Sequence, residues 1–465
     1  MLFNSGAFAV FLPVMLLAYW RLHGAARRWA LLIGSLFFYS WWDWRFTSLL
    51  LLTVAVDYAC GLAIAATENV RRRRWILTVS VVSNLGVLAG FKYFNFFRDS
   101  AAAVLSALGL AHDLPMLHVI LPMGISFYTF QSMSYTIDVY RGMPAERSLR
   151  DFALFVTCFP QLVAGPIVRA SDLLPQLKVD QRFERVDLPL GAYRLFRGLF
   201  KKMVVADVLS MYVDRVFADP SAHTGLSAWI ALYAYAFQIY MDFSGYTDVA
   251  IGTGELLGLR FCENFDRPYL AATPSEFWRR WHVSLSTWLR DYLYVPLGGS
   301  WGSTGRTLRN LMLTMGLGGL WHGAAWTFVA WGLYHGTLLS VERVIFGGGV
   351  AAGGSRFRGV ARIVGMVATF HLICLGWLLF RAPDWATVGT MLASLTDFSP
   401  APVHGKRIAL LLAACLAAHA WPEVRSALGW FRRVHATAQG ILAGAAMWVL
   451  LLCSPAAKPF IYFQF

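Results

Sequence analysis

Long apolar runs, separated by short polar or basic segments, recur from one end of the chain to the other. They fall near residues 8–20, 29–42, 46–66, 75–97, 117–140, 152–168, 190–216, 226–257, 360–380, 408–421 and 437–453. A membrane helix needs about 20 mainly apolar residues, so the pattern predicts an all-α polytopic membrane protein of about eleven or twelve spans. The runs are long and do not alternate, which argues against a β-barrel. The run at 152–168 is short and broken by Pro160 and Pro166, so it reads as re-entrant. Irregular backbone survives at membrane depth where protein or a water-filled cavity covers it. No clear repeat or sizeable soluble segment interrupts the pattern, and a single integral membrane domain is expected over residues 1–465.

Two stretches depart from this background. From Asn310 to Val341 there is no Asp, Glu, Lys or Arg, and Trp321-His322-Gly323 sits near the middle. An ionisable side chain at such depth is a functional candidate, and histidine exchanges a proton near neutral pH. A core histidine bonded to a neighbouring helix fits the same position. Residues 258–309 are the most polar part of the chain, yet rich in Trp and Tyr. Thr273 and Glu276 form a capping-box pattern with Pro274 at the first helical position. A helix starting there places Trp278, His282, Leu285 and Leu289 on one face and Arg279, Ser286 and Arg290 on another. It reads as an amphipathic helix on the cytoplasmic membrane surface.

Composition agrees. The chain is 57% hydrophobic and 14% charged, against about 25% charged in soluble domains. Its net charge of +14 reflects cytoplasmic basic loops, and no stripe of basic and aromatic residues suggests nucleic-acid binding. Placing Arg21, Arg27, Arg28 and Arg71 to Arg74 in the cytoplasm puts the N-terminus outside. Arg425, Arg432 and Arg433, held inside, send the C-terminus outside too. The start of the chain lacks a basic region before its apolar run and a cleavage-site pattern, so it reads as a retained first span. The six cysteines form no C-x-x-C pair and read as small buried hydrophobes. No metal site is expected: His322 and His335, 13 apart, fall on different faces of a continuous helix, and no ligand set has zinc spacing. His371 and His335 read as packing residues.

The segment FWRRWHVSLSTWLRDY, from Phe277 to Tyr292, is followed by GLWHGAAW, from Gly319 to Trp326. Together they resemble the membrane-bound O-acyltransferase (MBOAT) family, in the branch containing the alginate O-acetyltransferase membrane subunit. MLFNS at the start, MDFSGYTD from Met241, ENFDRPY from Glu263, GWLLFRA from Gly376 and the closing PFIYFQF are similar to the same branch, so the resemblance covers nearly the whole chain. It implies a ring of tilted helices around a thinned centre with a tunnel. It implies transfer of an acyl group to a hydroxyl, with His322 as the central catalytic histidine and His282 as the second, on a helix lining the tunnel. By the same resemblance Tyr462, in the aromatic tail 459–465, is a candidate acyl relay; a packed aromatic anchor fits equally.

Acyl transfer from a thioester needs a hydroxyl nucleophile, a base and oxyanion stabilisation. An apolar site favours the neutral imidazole, the form able to accept a proton. His282 is placed to polarise the carbonyl, orient the acceptor or hydrogen-bond His322. Arg279, Arg280 and Arg290 suit donor phosphates or lipid headgroups. Asp291 suits a neighbouring arginine. Asp242, Ser244 and Asp248 suit the tunnel wall or buried polar partners, and Trp321 flanks the central histidine. Glycines 316, 318, 319 and 323 suit ligand threading or, more commonly, tight helix packing.

The leading expectation is an inner-membrane acyltransferase. It takes acetyl groups from acetyl-CoA or another acyl thioester for O-acetylation of an exported polysaccharide such as alginate. It binds no cofactor, and its partners are a periplasmic acetyltransferase or acetyl carrier. Acetylation of cellulose or peptidoglycan, D-alanyl transfer to teichoic acid and lipid acylation are alternatives. A transporter or flippase is the non-enzymatic one, although the repeats common there are not evident.

Overall fold

The computed structural model describes residues 1–110, 113–117, 119–163, 165–223, 225–347, 359–399, 405–420 and 460–461. Every regular element among them is a helix: α1 (Gly6–Arg21), α2 (Gly24–Ser40), α3 (Arg45–Ala65), α4 (Val70–Leu88), α5 (Phe94–Ala107), α6 (Ile125–Tyr140), α7 (Leu149–Thr157), α8 (Phe159–Leu162), α9 (Ala170–Lys178), α10 (Leu188–Phe200), α11 (Asp207–Ala218), α12 (Gly225–Leu256), α13 (Pro274–Arg280), α14 (Val283–Leu289), α15 (Thr304–His322), α16 (Trp326–Phe346), α17 (Val360–Arg381), α18 (Trp385–Thr396) and α19 (Lys406–Ala420), besides short 3-10 turns and three π turns. The π turns are Ala89–Tyr93, Lys201–Ala206 and Arg290–Tyr294.

Three helices among the described residues are long and apolar enough to cross a membrane by length and composition: Arg45–Ala65, the continuous Val70–Ala107 and Val360–Arg381. Others are mixed in character; α12 spans 32 residues but carries Asp242, Asp248 and Glu255. The expected span at 437–453, with Arg425, Arg432 and Arg433, lies outside the described residues. The chain is a multi-pass helical membrane protein, divided into two compact units.

The first unit comprises Met1–Ala192 and Val249–Cys262. Asp57 of α3 is fully buried. It accepts hydrogen bonds from Ser80 Oγ (2.6 Å), Asn84 Nδ2 (2.9 and 3.0 Å) and Ser132 Oγ, tying α3 to α4 and α6. Such polar contacts replace the hydrophobic drive that lipid removes from helix association.

The segment expected to be irregular is so. α7 and α8 meet at Cys158, and Phe155, Cys158 and Phe159 are fully buried. The backbone groups at the break find side chains. Gln131 and Gln161 both donate to the Phe155 carbonyl at 2.7 Å, and Phe159 N–H donates to Ser35 Oγ at 3.1 Å. This satisfies the demand that buried backbone be paired at such depth.

Basic loops also meet in this unit. Arg27 Nη1 donates to Gln181 O (2.6 Å) and Arg73 Nη2 to Tyr140 O (2.7 Å). Arg28 pairs with Asp151 (3.7 Å) and Lys178 with Glu146 (2.6 Å).

The second unit comprises Tyr193–Asp248 and Glu263–Phe465. Its centre is the hairpin of α15 and α16. A Cβ on Gly319 would stand 2.3 Å from Phe328 O, and one on Gly332 would stand 2.2 Å from Met315 O. Backbones this close admit only glycine, so the glycines serve packing here. The continuous charge-free stretch is thus two helices, separated by Gly323, Ala324 and Ala325.

Candidate active site

The amphipathic segment starts as its sequence indicates. Glu276 N–H donates to Thr273 Oγ1 at 3.1 Å, Pro274 is at the first position, and Glu276 Oε2 accepts from Ala272 N–H at 2.9 Å. Burial disfavours the Glu276 charge, but the Ala272 amide, Arg280 and Arg362 together hold its carboxyl below the usual range.

The helix does not continue through His282 as expected. α13 ends at Arg280, and His282 takes left-handed backbone (φ 44°) as α14 begins. The cause lies in the ENFD loop. Asn264 O accepts from Val283 N–H (2.9 Å), Asn264 Oδ1 accepts from Ser284 N–H (3.1 Å), and Asp266 N–H donates to Arg280 O (3.0 Å). Both helix ends at the break are satisfied from this loop. The single stripe of Trp278, His282, Leu285 and Leu289 is therefore replaced by a bend with the histidine at its apex.

His282 is fully buried, its ring 4.6 Å from Phe243 and 6.4 Å from Trp321. His322 is the last residue of α15 and is 4% exposed. Trp321, Trp331 and Phe380 surround its ring at 5.0, 5.0 and 5.4 Å. A Cβ on Gly323 would lie 2.1 Å from the Phe328 ring, so the turn after the histidine requires glycine. Trp321 thus bridges the two imidazoles.

The spacing argument that set His322 and His335 on different faces assumed one helix. The chain breaks between them, and both rings abut Trp331, at 5.0 and 4.9 Å. His335 is fully buried among aromatics, 5.2 Å from Trp278. His371 is paired with Tyr233 Oη (2.9 Å) and Val367 O (2.7 Å).

The other candidates are dispersed. Arg280 pairs with Glu276 (2.8 Å), Arg290 with Asp291 (2.7 Å), and Arg279 is exposed. Asp248 is bound by Arg197 and by Lys201 (2.7 Å), whose Nζ also reaches Ser244 Oγ at 3.3 Å. Asp242 is paired with Lys202 at 2.5 Å. Tyr462 lies outside the described residues, but Phe460 and Ile461, just before it, are buried. Sequence reasoning missed Lys201 and Lys202. Their signal was available, since charges inside the run at 190–216 are costly and functional by default. It also missed His419, whose Nε2 accepts from Tyr269 N–H at 3.2 Å.

Two buried imidazoles in an aromatic wall of a polytopic helical protein suit proton transfer away from bulk water. The family model for MBOAT, membrane-bound O-acyltransferase family, matches residues 146–352, which hold both histidines. The class is a membrane acyltransferase. The chain is 44% identical to the probable alginate O-acetylase AlgI of Azotobacter vinelandii, over 89% of this chain and 83% of that protein. It is 37% identical to the peptidoglycan O-acetyltransferase of Helicobacter pylori, over 83% of this chain and 77% of that one. Identity to the teichoic acid D-alanyltransferase of Bacillus subtilis is 27%, over 56% of this chain and 68% of that one. The chain belongs to the membrane-bound O-acyltransferase family.

Proposed function

We propose that this protein takes acetyl groups from a cytoplasmic thioester, acetyl-CoA or a comparable donor, and passes them across the inner membrane for O-acetylation of an exported polysaccharide. The observation that carries this reading is the buried His282–Trp321–His322 chain of rings, in a sequence 44% identical to the probable alginate O-acetylase AlgI of Azotobacter vinelandii. Alginate is the first acceptor to test. The 37% identity to a peptidoglycan O-acetyltransferase makes peptidoglycan the second. The 27% identity to a D-alanyltransferase ranks that chemistry below acetyl transfer.

In this reading about eleven or twelve spans form a single domain around a central tunnel, with both termini in the periplasm and the segment 258–309 on the cytoplasmic side. His322 accepts the proton of the attacking hydroxyl as the oxygen bonds to the acetyl carbonyl. The tetrahedral intermediate collapses, the C–S bond breaks, and the thiolate regains a proton. His282 polarises the carbonyl. Tyr462 supplies the first hydroxyl and holds the acetyl group as an ester. A second transfer moves it to a periplasmic acetyltransferase, an acetyl carrier or the polymer. Arg279, Arg280 and Arg290 favour the donor phosphates.

Purified protein is incubated with radiolabelled acetyl-CoA, and label on protein and glycan is counted. His322→Ala lowers transfer by at least about 10²-fold, the scale of general-base loss. Tyr462→Phe leaves membrane insertion intact and ends polymer acetylation. Normal acetylation in the phenylalanine variant removes the relay; normal transfer in the alanine variant removes the base.

A further inference from the structure

Lys201 and Lys202 are consecutive, yet each serves a different carboxylate of α12. Lys201 Nζ lies 2.7 Å from Asp248 Oδ2, and Lys202 Nζ lies 2.5 Å from Asp242 Oδ1. Both belong to the π turn Lys201–Ala206, and single π turns inside helices gather at functional sites. The approach of α12 is close here, since a Cβ on Gly245 would meet Gly198 O at 2.7 Å. Lys202 also holds Asp207 at 2.7 Å, and the side chains of Lys202, Asp207 and Asp242 are each under 5% exposed.

Burying such a cluster is poor value as a source of stability. Removing charges from water costs about as much as their attraction returns, and apolar replacements are often as stable. The second oxygen of Asp242 shows another use. Oδ2 accepts the main-chain N–H of Ile461 at 2.9 Å. The preceding Phe460 is fully buried, its ring 4.4 Å from Tyr246 and 5.4 Å from Phe243. Phe243 in turn lies 4.6 Å from His282. One phenylalanine ring therefore separates the docked tail from the second histidine.

We propose that Asp242, held in place by Lys202, is a positioning residue that clamps the C-terminal chain by its backbone at Ile461. Tyr462 is the next residue in the sequence. Recognition of an amide ignores the side chain at 461, and the aromatic wall of Phe243 and Tyr246 supplies the rest. The catalytic consequence rests on the reading of Tyr462 as acyl carrier; the clamp itself does not.

Full-length protein in nanodiscs is digested with carboxypeptidase Y, which also releases proline. The shortened chains are weighed by intact mass spectrometry, and each rate is taken relative to the same chain unfolded in urea. In the wild type, trimming stalls at or before Ile461. Asp242→Ala removes the acceptor, and Ile461→Pro removes only the donor, since proline has no N–H. Both are expected to speed release of residues 460 and 461 by about tenfold or more, because cleavage follows the population of the undocked tail. Asp242→Asn keeps an acceptor oxygen and falls between. In the clamp variants turnover drops while the KM for acetyl-CoA stays unchanged. Size-exclusion chromatography checks folding, and Ile461→Pro leaves the buried ion cluster intact should Asp242→Ala fail to fold. Wild-type stalling in both Ile461→Pro and a folded Asp242→Ala overturns the clamp. Faster release, with full acetylation in Tyr462→Phe, leaves the clamp standing and removes the relay.

Discussion

His282 occupies left-handed backbone at φ 44° while its ring faces Phe243 and Trp321. Glycine enters that region freely, and asparagine, aspartate and histidine are the side chains enriched there. Asparagine is therefore the informative replacement, because it removes the imidazole and keeps the bend. His282→Asn is expected to retain the thermal stability of the wild type and to lower acetyl transfer by about 10²-fold, the loss typical of an electrostatic donor or base. A folded His282→Asn enzyme with wild-type rates makes the histidine a wedge and nothing more. Both histidines were legible in the sequence, since an imidazole amid tryptophans and apolar residues is an anomaly. Lys202 and Asp242 were legible only as isolated charges. Their pairing depends on a π turn and on a tail residue 219 positions from Asp242, and no local pattern encodes either.

Among the elements, the α15–α16 hairpin sets the position of His322. Its two helices touch through Gly319 and Gly332, where any side chain meets backbone carbonyls. Gly319→Leu forces the helices apart and is expected to cost at least about 1–3 kcal/mol, the range for overpacked interiors. A lowered unfolding temperature in detergent, with loss of acetyl transfer, is the measurable result; an unchanged unfolding temperature contradicts the close contact. The start of α13 was readable from Thr273, Pro274 and Glu276 because caps are local. Its end was not, because the chain that stops it is Asn264 and Asp266, well upstream of the break. The same limit misled the spacing argument for His322 and His335, which treated the Gly323 turn as helix.

At the scale of the whole molecule, the apolar runs gave the fold class because lipid permits few alternatives. Pro160 and Pro166 announced the break near Cys158, whereas the break at Gly323 needed tertiary partners to be seen. The proposed orientation is testable at the basic loops of the first unit. Cationic loops remain in the cytoplasm, and those carrying Arg27, Arg28, Arg73 and Lys178 are bonded to chain around residues 140–151 and 181. In a background without the six native cysteines, Glu68→Cys is expected to react with an impermeant maleimide only from the cytoplasm. Trp44→Cys, at an exposed site between α2 and α3, is expected to react only from the periplasm. The opposite labelling inverts the topology.

The bond from Arg27 to Gln181 joins residues 154 positions apart. At the usual pace of translation, about 5–20 residues per second, that acceptor emerges roughly 10–30 s after its donor. The first hairpin must wait in the lipid through that interval with its guanidinium unanswered by this carbonyl. The bilayer and the insertion machinery are therefore its early custodians, and the nascent chain locks that corner only once the ribosome has passed a third of the message.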